Sequence, residues 1–294
     1  MQDFLVPETV TPMPIKDFLR RHIGFSLTIW RKIKHAGTLS VNNHIISINH
    51  IVYPGDIITV NWQEVCTIVP TNLPLNICYE DDYILIIDKP AGMLVHPTTS
   101  ENLVTLANAV MHYYRAMKFS YNFHPVHRLD RNTSGLVLIA KQPHIQHLLS
   151  NNNIKNINRQ YLALASGTIL PVEGIIDAPI ARHPDSIIQR MVDDSGQHAV
   201  TCYKVLKNLN NASLVELTLL TGRTHQIRVH LSHIGHPLLG DDLYGGSREL
   251  IGRQALHATR LSFSHPVSGE TIDVSSPLPL ELLQLLNVLE NTED

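Results

Sequence analysis

The chain has 294 residues, of which 44% are hydrophobic and 17% are charged, and its formal net charge is −3. This composition excludes a disordered chain, and the length predicts about two domains. A net charge so close to zero is not typical of a nucleic-acid-binding protein, so any contact with nucleic acid must come from local clusters of basic residues.

The three cysteines, Cys66, Cys78 and Cys202, lie far apart and include no Cys-x-x-Cys pair. This spacing is typical of a reducing compartment and argues against a disulfide framework or a thiolate zinc site. No apolar segment reaches transmembrane length, and the N-terminus lacks the features of a targeting peptide. We therefore expect a cytoplasmic protein without membrane contact.

The first predicted unit spans residues 12–65, in which basic residues outnumber acidic ones. Apolar residues at helical spacing predict a helix over Ile15–Arg21. Ser26 is a candidate N-cap for a second helix over Leu27–Ala36, which Gly37 would end. Both helices have basic polar faces, and such charges are usually no more than a solvated helix surface.

Strands are predicted along the rest of the chain from short apolar runs, alternating or continuous. They cover residues 38–42, 45–48, 57–60, 83–88, 135–141, 160–166, 200–206 and 214–220. Asn102 is a candidate N-cap for a helix over residues 103–117. Because the strands cluster without one helix between each pair, a mixed or antiparallel sheet with helices outside it is favoured over a doubly wound parallel sheet. The sequence thus predicts an α+β fold with a second unit over residues 75–294.

One polar loop, His127-Arg-Leu-Asp-Arg-Asn-Thr-Ser-Gly135, places Asp130 between Arg128 and Arg131, directly before the strand predicted over residues 135–141. Two flanking cations favour an ionised carboxylate, which suits a nucleophile better than a proton donor. A buried strand would anchor the loop, as a chemical site requires. Taken alone, such a turn is more often structural, with side chains that satisfy local backbone groups.

Three later segments follow this loop in order: Asn158-Arg-Gln-Tyr-Leu-Ala-Leu164, Thr221-Gly-Arg-Thr-His-Gln-Ile-Arg-Val-His-Leu231 and Gly235-His-Pro-Leu-Leu-Gly-Asp-Asp-Leu-Tyr-Gly245. In sequence and in order, the four segments resemble the motifs of the RluA family of RNA pseudouridine synthases. The resemblance covers about residues 79–280. It implies a cofactor-free isomerase that flips a uridine out of folded RNA and converts it to pseudouridine.

The resemblance also implies roles for four side chains. Asp130 matches the essential aspartate, which either attacks ribose C1′ or removes a sugar proton. Tyr161 matches the tyrosine that stacks on the uracil and is a candidate for proton transfer at C5. Arg228 matches the basic partner of the aspartate, and Arg128 matches the residue that replaces the flipped base in the RNA. Without the family motifs, Tyr161 would be an ordinary strand tyrosine and Arg128 a phosphate contact or a surface ion pair.

Two smaller expectations concern the walls of this site. Leu219 or Leu220 would supply an apolar wall beside the base, although a leucine in a strand usually only packs in the hydrophobic core. His127, Thr133 and Ser134 would shape the loop through hydrogen bonds to the backbone.

The first unit carries the segments Leu39-Ser-Val-Asn-Asn43 and Pro54-Gly-Asp56. These resemble the alpha-L RNA-binding module, which also occurs in a small-subunit ribosomal protein. Asn43 stands where a glycine is usual, and asparagine also tolerates a left-handed turn. The resemblance implies phosphate contacts from the basic residues Arg20, Arg21, Arg31, Lys32 and Lys34.

Two other classes of function compete with this reading. A metal-dependent hydrolase is suggested by 18 histidines, which include His225, His230, His233 and His236 with Asp241 and Asp242 nearby. On one helix, however, His225 and His230 would diverge by about 140°. No general-base glutamate accompanies His230 and His233, so we expect no metal and no cofactor. A non-catalytic RNA-binding protein is disfavoured because all four key positions hold the expected residue types.

The substrate is expected to be RNA, with no obligate protein partner and a monomer as the default state. Relatives with the N-terminal module often resemble large-subunit ribosomal RNA enzymes, while tRNA-directed relatives share the same motifs. Large-subunit ribosomal RNA is therefore the expected target by analogy, with tRNA as the alternative.

Overall fold

The N-terminal unit packs two helices against a small antiparallel sheet. A computed structural model of the chain describes residues 2–62, 66–97, 104–150 and 157–291. The elements of this unit are β1 (Gln2–Leu5), β2 (Met13–Pro14), α1 (Ile15–Arg21), α2 (Leu27–Ala36), β3 (Thr38–Val41), β4 (His44–Ile45), β5 (Ile51–Val52) and β6 (Ile57–Asn61). One sheet has the order β1-β6-β3-β4, and β2 pairs with β5.

Local signals of the sequence determine much of this unit. Both helices have the predicted bounds, and the backbone N–H of Ile29 donates to Ser26 Oγ at 3.1 Å, which confirms the N-cap. Asn42 and Asn43 have φ angles of 50° and 67° and make the left-handed turn between β3 and β4. The strand predicted over residues 45–48 was wrong in extent, because β4 ends at Ile45.

The core of the N-terminal unit is separate from the cores of the larger unit. Phe18, Ile33 and Ile58 are buried at its centre. Val6 and Val10 belong to the same cluster, so the packed unit includes residues before position 12.

The larger unit contains the remaining elements. They are β7 (Ile77–Glu80), β8 (Ile84–Lys89), α3 (Leu106–Ala116), β9 (His124–Pro125), β10 (Ser134–Ala140), α4 (Pro143–Ser150), β11 (Asn158–Ser166), β12 (Glu173–Asp177), β13 (Ile180–Arg182), β14 (Arg190–Val192), β15 (Val200–Leu209), β16 (Ala212–Leu219), α5 (Gln226–His233), a 3₁₀ helix (Asp242–Tyr244), β17 (Leu256–Ser264), β18 (Thr271–Ser275) and α6 (Leu280–Asn291).

A ten-stranded mixed sheet organises these elements. Its main path is β12-β15-β16-β11-β17-β10-β8-β7, with β18 paired to β17 and β9 paired to β10. The pairing of β10 with β17 is parallel, while the other pairs described in this sheet are antiparallel. Helices α3 and α5 contribute to one core, and α4 and α6 contribute to two others. The predicted α+β class and the mixed, mainly antiparallel sheet are confirmed.

Strand β10 anchors the polar loop in the middle of this sheet. All of its residues are buried, and successive side chains enter two different cores. Gly135, at its start, has a φ angle of 113° and lies against the backbone of Ala258 on β17. A Cβ atom there would overlap that backbone, so glycine permits the close approach of the two strands. The loop that precedes Gly135 therefore has a rigid attachment.

One predicted helix start differs in the structure. The helix expected over residues 103–117 begins at Leu106, and Thr105 is its N-cap. The backbone N–H of Thr105 donates to Asn108 Oδ1 at 2.9 Å, as in a capping box. The candidate cap Asn102 lies outside the described residues.

The two units contact each other through aromatic side chains. The ring of His144 on α4 lies 5.1 Å from the ring of Phe25 and 5.7 Å from that of Phe4. Gly24 packs so closely on Leu148 that a side chain at position 24 would overlap it. In the described ranges, no helix is both long and apolar enough to cross a lipid bilayer.

Candidate active site

Asp130 lies in the loop between β9 and β10. The backbone N–H of Thr133 donates to the carbonyl oxygen of Asp130 at 3.1 Å and closes a turn. Behind this turn, the buried guanidinium of Arg253 donates to the carbonyl oxygen of Asn132 at 3.0 Å and to Ser134 Oγ at 3.3 Å. Arg253 thus fixes the buried side of the loop.

Lys89, at the end of β8, also stabilises this loop through a hydrogen bond to its backbone. Its fully buried ammonium group donates to the carbonyl oxygens of Pro90, Met93 and Arg131 at 2.8, 2.9 and 3.2 Å. Burial lowers the pKa of Lys89 to about 7, although the nearby carboxylate of Asp130 opposes this shift. The bond to Arg131 connects the residue that follows Asp130 to the central sheet.

Arg228 on α5 lies between two carboxylates. Its Nη1 atom is 3.3 Å from Asp130 Oδ2, while Nε and Nη2 each donate to the Asp241 carboxylate at 2.7 Å. The guanidinium also lies over the ring of Tyr244, 4.9 Å from its centroid. Burial lowers the pKa of Arg228, but the carboxylates of Asp241 and then Asp130 outweigh this effect. The pKa of Arg228 is therefore raised above its usual value. Asp241 therefore fixes the orientation in which Arg228 meets Asp130.

His225 is a second neighbour of Asp130. It precedes α5 with a φ angle of 59°, and its Nε2 atom lies 3.8 Å from Asp130 Oδ2. On the other side of the ring, Nδ1 lies 2.8 Å from Tyr244 Oη. Burial lowers the pKa of His225, while Asp130 opposes that effect.

Tyr161 on β11 forms another wall of the site. The residue is buried, and burial raises the pKa of its hydroxyl to about 12, so the group stays protonated at neutral pH. Arg159 lies beside it, and its Nη2 atom donates to the carbonyl oxygens of Leu219 and Thr221 at 3.4 and 3.3 Å. The tyrosine is thus an uncharged aromatic surface next to a buried cation.

These side chains meet at one cavity of about 220 Å³. Its lining includes Asp130, Tyr161, Arg228, Arg128 and Leu219, and we call it the Asp130 cavity. The four side chains expected to carry the chemistry therefore lie together. Its volume is on the scale of one base and not of a folded RNA segment.

The smaller expectations have mixed outcomes in the structure. Leu219 lines the Asp130 cavity, while Leu220 is 49% exposed and does not. His127 Nε2 accepts a hydrogen bond from the backbone N–H of Leu138 at 3.2 Å, and burial lowers the pKa of His127 to about 3. Gln254 donates to Thr133 Oγ1 at 3.2 Å. The loop side chains thus bond mostly to residues outside the loop.

The basic residues of the N-terminal unit lie elsewhere. All five are exposed on α1 and α2, and none of them lines the Asp130 cavity. These five residues are Arg20, Arg21, Arg31, Lys32 and Lys34.

Sequence reasoning missed several charged residues that position the site. Lys89, Arg159 and Arg253 are buried, although lysine and arginine are usually exposed. Arg159 lies within a motif segment but was given no role, and no local pattern marks Lys89 and Arg253. Asp241 was considered only as a possible metal ligand, whereas the structure pairs it with Arg228. The segment Gly235–Gly245 of the family resemblance was the available signal, since it contains Asp241.

Two further histidines near α5, His230 and His236, make protein contacts. His230 places Nδ1 at 2.8 Å from Thr201 Oγ1 and Nε2 at 2.9 Å from the carbonyl oxygen of Ala178. His236 Nδ1 lies 2.8 Å from the carbonyl oxygen of Ser166. Within the part of the chain that the structure describes, no three His, Cys, Asp or Glu side chains are grouped to hold one metal ion.

The mixed sheet thus carries a cavity that brings Asp130, Arg228 and Tyr161 together, as the sequence motifs led us to expect. The sequence profile of RNA pseudouridylate synthases matches residues 83–233, which is half of the chain. The chain belongs to the RNA pseudouridine synthases of the RluA family.

Several known proteins are similar over most of their length. The uncharacterized RNA pseudouridine synthase YjbO of Bacillus subtilis is 39% identical, over 93% of this chain and 98% of its own. Ribosomal large subunit pseudouridine synthase D of Haemophilus ducreyi is 38% identical, over 85% of this chain and 84% of its own. Among solved structures, human RNA pseudouridylate synthase domain containing 4 superposes with a TM-score of 0.60 at 25% identity, over 73% of this chain and 92% of that one.

Proposed function

We propose that this chain converts uridine to pseudouridine in large-subunit ribosomal RNA, with Asp130 as the catalytic residue. The observation that carries the proposal is the single cavity lined by Asp130, Arg228 and Tyr161. Relatives named as ribosomal large subunit enzymes support the choice of RNA. A ribosomal RNA substrate also agrees with the cytoplasmic location expected from the sequence.

The reaction needs positioned groups but no net oxidation or reduction. The bond between uracil N1 and ribose C1′ breaks, the base turns within the site, and a bond forms between C5 and C1′. The proton on C5 is lost, and N1 gains one. A base must therefore leave the RNA helix and stay in an enclosed site throughout, which fits the size of the Asp130 cavity.

Asp130 acts on the ribose in this proposal. Two routes use the same carboxylate: attack on C1′, or removal of a sugar proton. Both require an ionised group aimed at the sugar. Arg228 stabilises that form through the 3.3 Å contact, and Asp241 keeps the guanidinium in place.

Tyr161 and Arg128 hold the flipped base and the RNA in this proposal. The buried ring of Tyr161 lines the cavity and stacks on the uracil. Arg128 is exposed at the mouth of the cavity, where it fills the gap that the flipped base leaves.

The N-terminal unit serves as an RNA-binding module of the alpha-L type in this proposal, with residues 75–294 as the catalytic domain. The support is its separate core and the exposed basic residues on α1 and α2. Arg20, Arg21, Arg31, Lys32 and Lys34 attract RNA phosphates. Affinity for RNA should therefore fall as the salt concentration rises.

The test is to incubate purified protein with unmodified transcripts of large-subunit ribosomal RNA and, separately, of tRNA. New pseudouridines are then mapped by chemical labelling and primer extension. We expect modification at one or a few positions of the ribosomal transcript, and none in tRNA. Product in tRNA alone would contradict the choice of substrate, whereas no product in either RNA would contradict the proposed activity.

A further inference from the structure

One buried cation in the wall of the Asp130 cavity has no carboxylate beside it. Arg159 on β11 is 3% exposed and lines this cavity. Its Nη2 atom makes two long hydrogen bonds, to the carbonyl oxygens of Leu219 and Thr221, and its Nε atom has no hydrogen-bond partner. In the described ranges, no aspartate or glutamate forms an ion pair with Arg159. Because burial of an unbalanced guanidinium is costly, this residue requires an explanation beyond packing.

The cavity holds two buried arginines with different neighbours. Asp130 supplies the only carboxylate of the described lining, and Arg228 Nη1 and His225 Nε2 lie 3.3 and 3.8 Å from its Oδ2 atom. Arg159 instead lies beside Tyr161. The two residues are two positions apart on β11, so their side chains share one face of the strand. One arginine therefore serves the carboxylate, while the other lies next to the ring that stacks on the base.

The far end of the Arg159 side chain reaches the cavity wall that follows β16. Nη2 bonds to the backbone of Leu219, which lines the cavity. Gly222 also lines it, and a Cβ atom at position 222 would lie 2.8 Å from Arg159 Nη1. Glycine at this position thus permits the close approach of the guanidinium. The positive charge lies at the edge of the cavity and not in the core behind it.

The chemistry of the base requires a cation at one stage. When the bond between N1 and C1′ breaks, its electron pair stays with the uracil, whether Asp130 attacks C1′ or removes a sugar proton. The base is then an anion, with its charge shared by N1, O2 and O4. This charge disappears when C5 bonds to C1′, after which C5 loses its proton and N1 gains one. A fixed cation beside the base would therefore stabilise the intermediate more than the bound uridine.

We propose that Arg159 is a further catalytic residue, which contacts the uracil ring and stabilises the negative charge that the base carries between its departure from C1′ and its attachment through C5. This inference rests on the proposed function, because it assumes the isomerisation of uridine. It adds a role that differs from that of Arg228, and it holds for either route through Asp130.

Two substitutions of Arg159 and one control test this role. Arg159→Met removes the charge and keeps an unbranched side chain, whereas Arg159→Lys keeps the charge without the planar set of N–H groups. Arg260 on the neighbouring strand β17 is the matched control. Its side chain is 49% exposed, pairs with Asp273 and does not line the Asp130 cavity. Arg260→Met thus removes the same charge from the surface.

Three quantities are measured for each variant: the single-turnover rate constant at saturating ribosomal transcript, the Kd for that transcript and the midpoint of chemical denaturation. Arg159→Met should lower the rate constant roughly 100-fold, the scale of one electrostatic group in an active site. Its Kd should stay within about threefold, because the charge on the base is absent before the bond breaks. Its denaturation midpoint should not fall, since the substitution removes an unbalanced buried charge.

Arg159→Lys should recover about tenfold of the lost rate, because it restores the charge but not the geometry of the N–H groups. Arg260→Met should stay within about twofold of the unmodified protein in rate constant and Kd, as expected for a surface ion pair.

An unchanged rate constant in Arg159→Met would overturn the proposal. Equal rate constants for Arg159→Met and Arg159→Lys would also overturn it, since the charge would then have no effect. A rate loss that comes with weaker RNA binding and a lower denaturation midpoint would assign Arg159 a structural role instead. If the unmodified protein forms product and Arg159→Met is as fast, only the role of Arg159 fails. If the unmodified protein forms no product in ribosomal RNA or tRNA, the proposed function fails and this inference fails with it.

Discussion

The Asp130 cavity and the surface formed by α1 and α2 both carry cationic side chains, but those side chains differ in how they are held. In the Asp130 cavity, Arg228 meets Asp130 at 3.3 Å and Asp241 at 2.7 Å. On α1 and α2, by contrast, the basic residues Arg20, Arg21, Arg31 and Lys34 are exposed. The first arrangement fixes the direction of a few atoms, while the second keeps positive charge at the surface of the N-terminal unit.

This difference follows from burial. A buried guanidinium without a counterion is costly, so Arg228 requires the two carboxylates that also define its geometry. Exposed side chains such as Arg31 keep most of their hydration, so burial imposes no comparable cost on them. Precise positioning is therefore expected in the Asp130 cavity, and salt-dependent affinity for RNA at the basic surface of α1 and α2.

The largest effect should come from removing the carboxylate of Asp130. We expect Asp130→Asn to abolish pseudouridine formation while RNA affinity stays largely intact, because the substitution keeps the shape of the side chain. Product formation and RNA binding are measured on the same ribosomal transcript. Retained turnover would refute the role of Asp130, and a large loss of affinity would show that its carboxylate also contributes to RNA binding.

A smaller effect should come from Asp241, which orients Arg228 without lining the Asp130 cavity. Asp241→Asn should lower kcat about 100-fold through misplacement of the guanidinium. It should also lower the free energy of unfolding by roughly 3 kcal/mol, because a buried charge loses its partner. KM for RNA should change little, since the exposed basic residues of α1 and α2 are untouched.

Asp242 is the matched control for this experiment. It follows Asp241 directly, but its side chain is 65% exposed and pairs with Arg248 at the surface. Asp242→Asn should cost less than about 1 kcal/mol of stability and leave kcat unchanged. Equal kcat values for Asp241→Asn and Asp242→Asn would contradict the positioning role of Asp241.

A third prediction concerns pH and the contact between the two units. Burial, and then the neighbouring His124, lower the pKa of His144 from 6.5 to about 4. As pH falls from 6.5 towards 4, the unfolded chain therefore binds a proton at this position that the folded chain excludes. The free energy of unfolding should fall over this window, with a contribution of at most roughly 3 kcal/mol from His144. The free energy of unfolding should return to its full value well above pH 6.5.

His144→Phe should flatten this pH dependence, because phenylalanine has no proton to bind. Chemical denaturation at several pH values between 4 and 7 measures the slope. Part of the slope should remain, since burial also lowers the pKa of His127 to about 3. The exposed His35 provides a control, and His35→Phe should leave the slope as it is. An unchanged slope in His144→Phe would contradict the assignment.

Local features of the fold were predictable because their causes are local. The N-cap at Ser26 and the bounds of α1 and α2 depend on residues within a few positions of each other. The continuous apolar run of β10 signals a strand buried on both faces. The start of α3 was placed too early, because Thr105 and Asn108 form the cap that was assigned to Asn102.

By itself, the sequence determined the fold class, the order of the motifs and the four side chains expected at the Asp130 cavity. It did not determine their partners. Asp241, Lys89 and Arg253 became recognisable only when folding brought them to Arg228 and to the two sides of the Asp130 loop. The contact of His144 on α4 with Phe4 and Phe25 likewise joins segments that lie far apart in the chain. Motifs record residue types, whereas charge compensation and cavity walls depend on which distant residues meet in space.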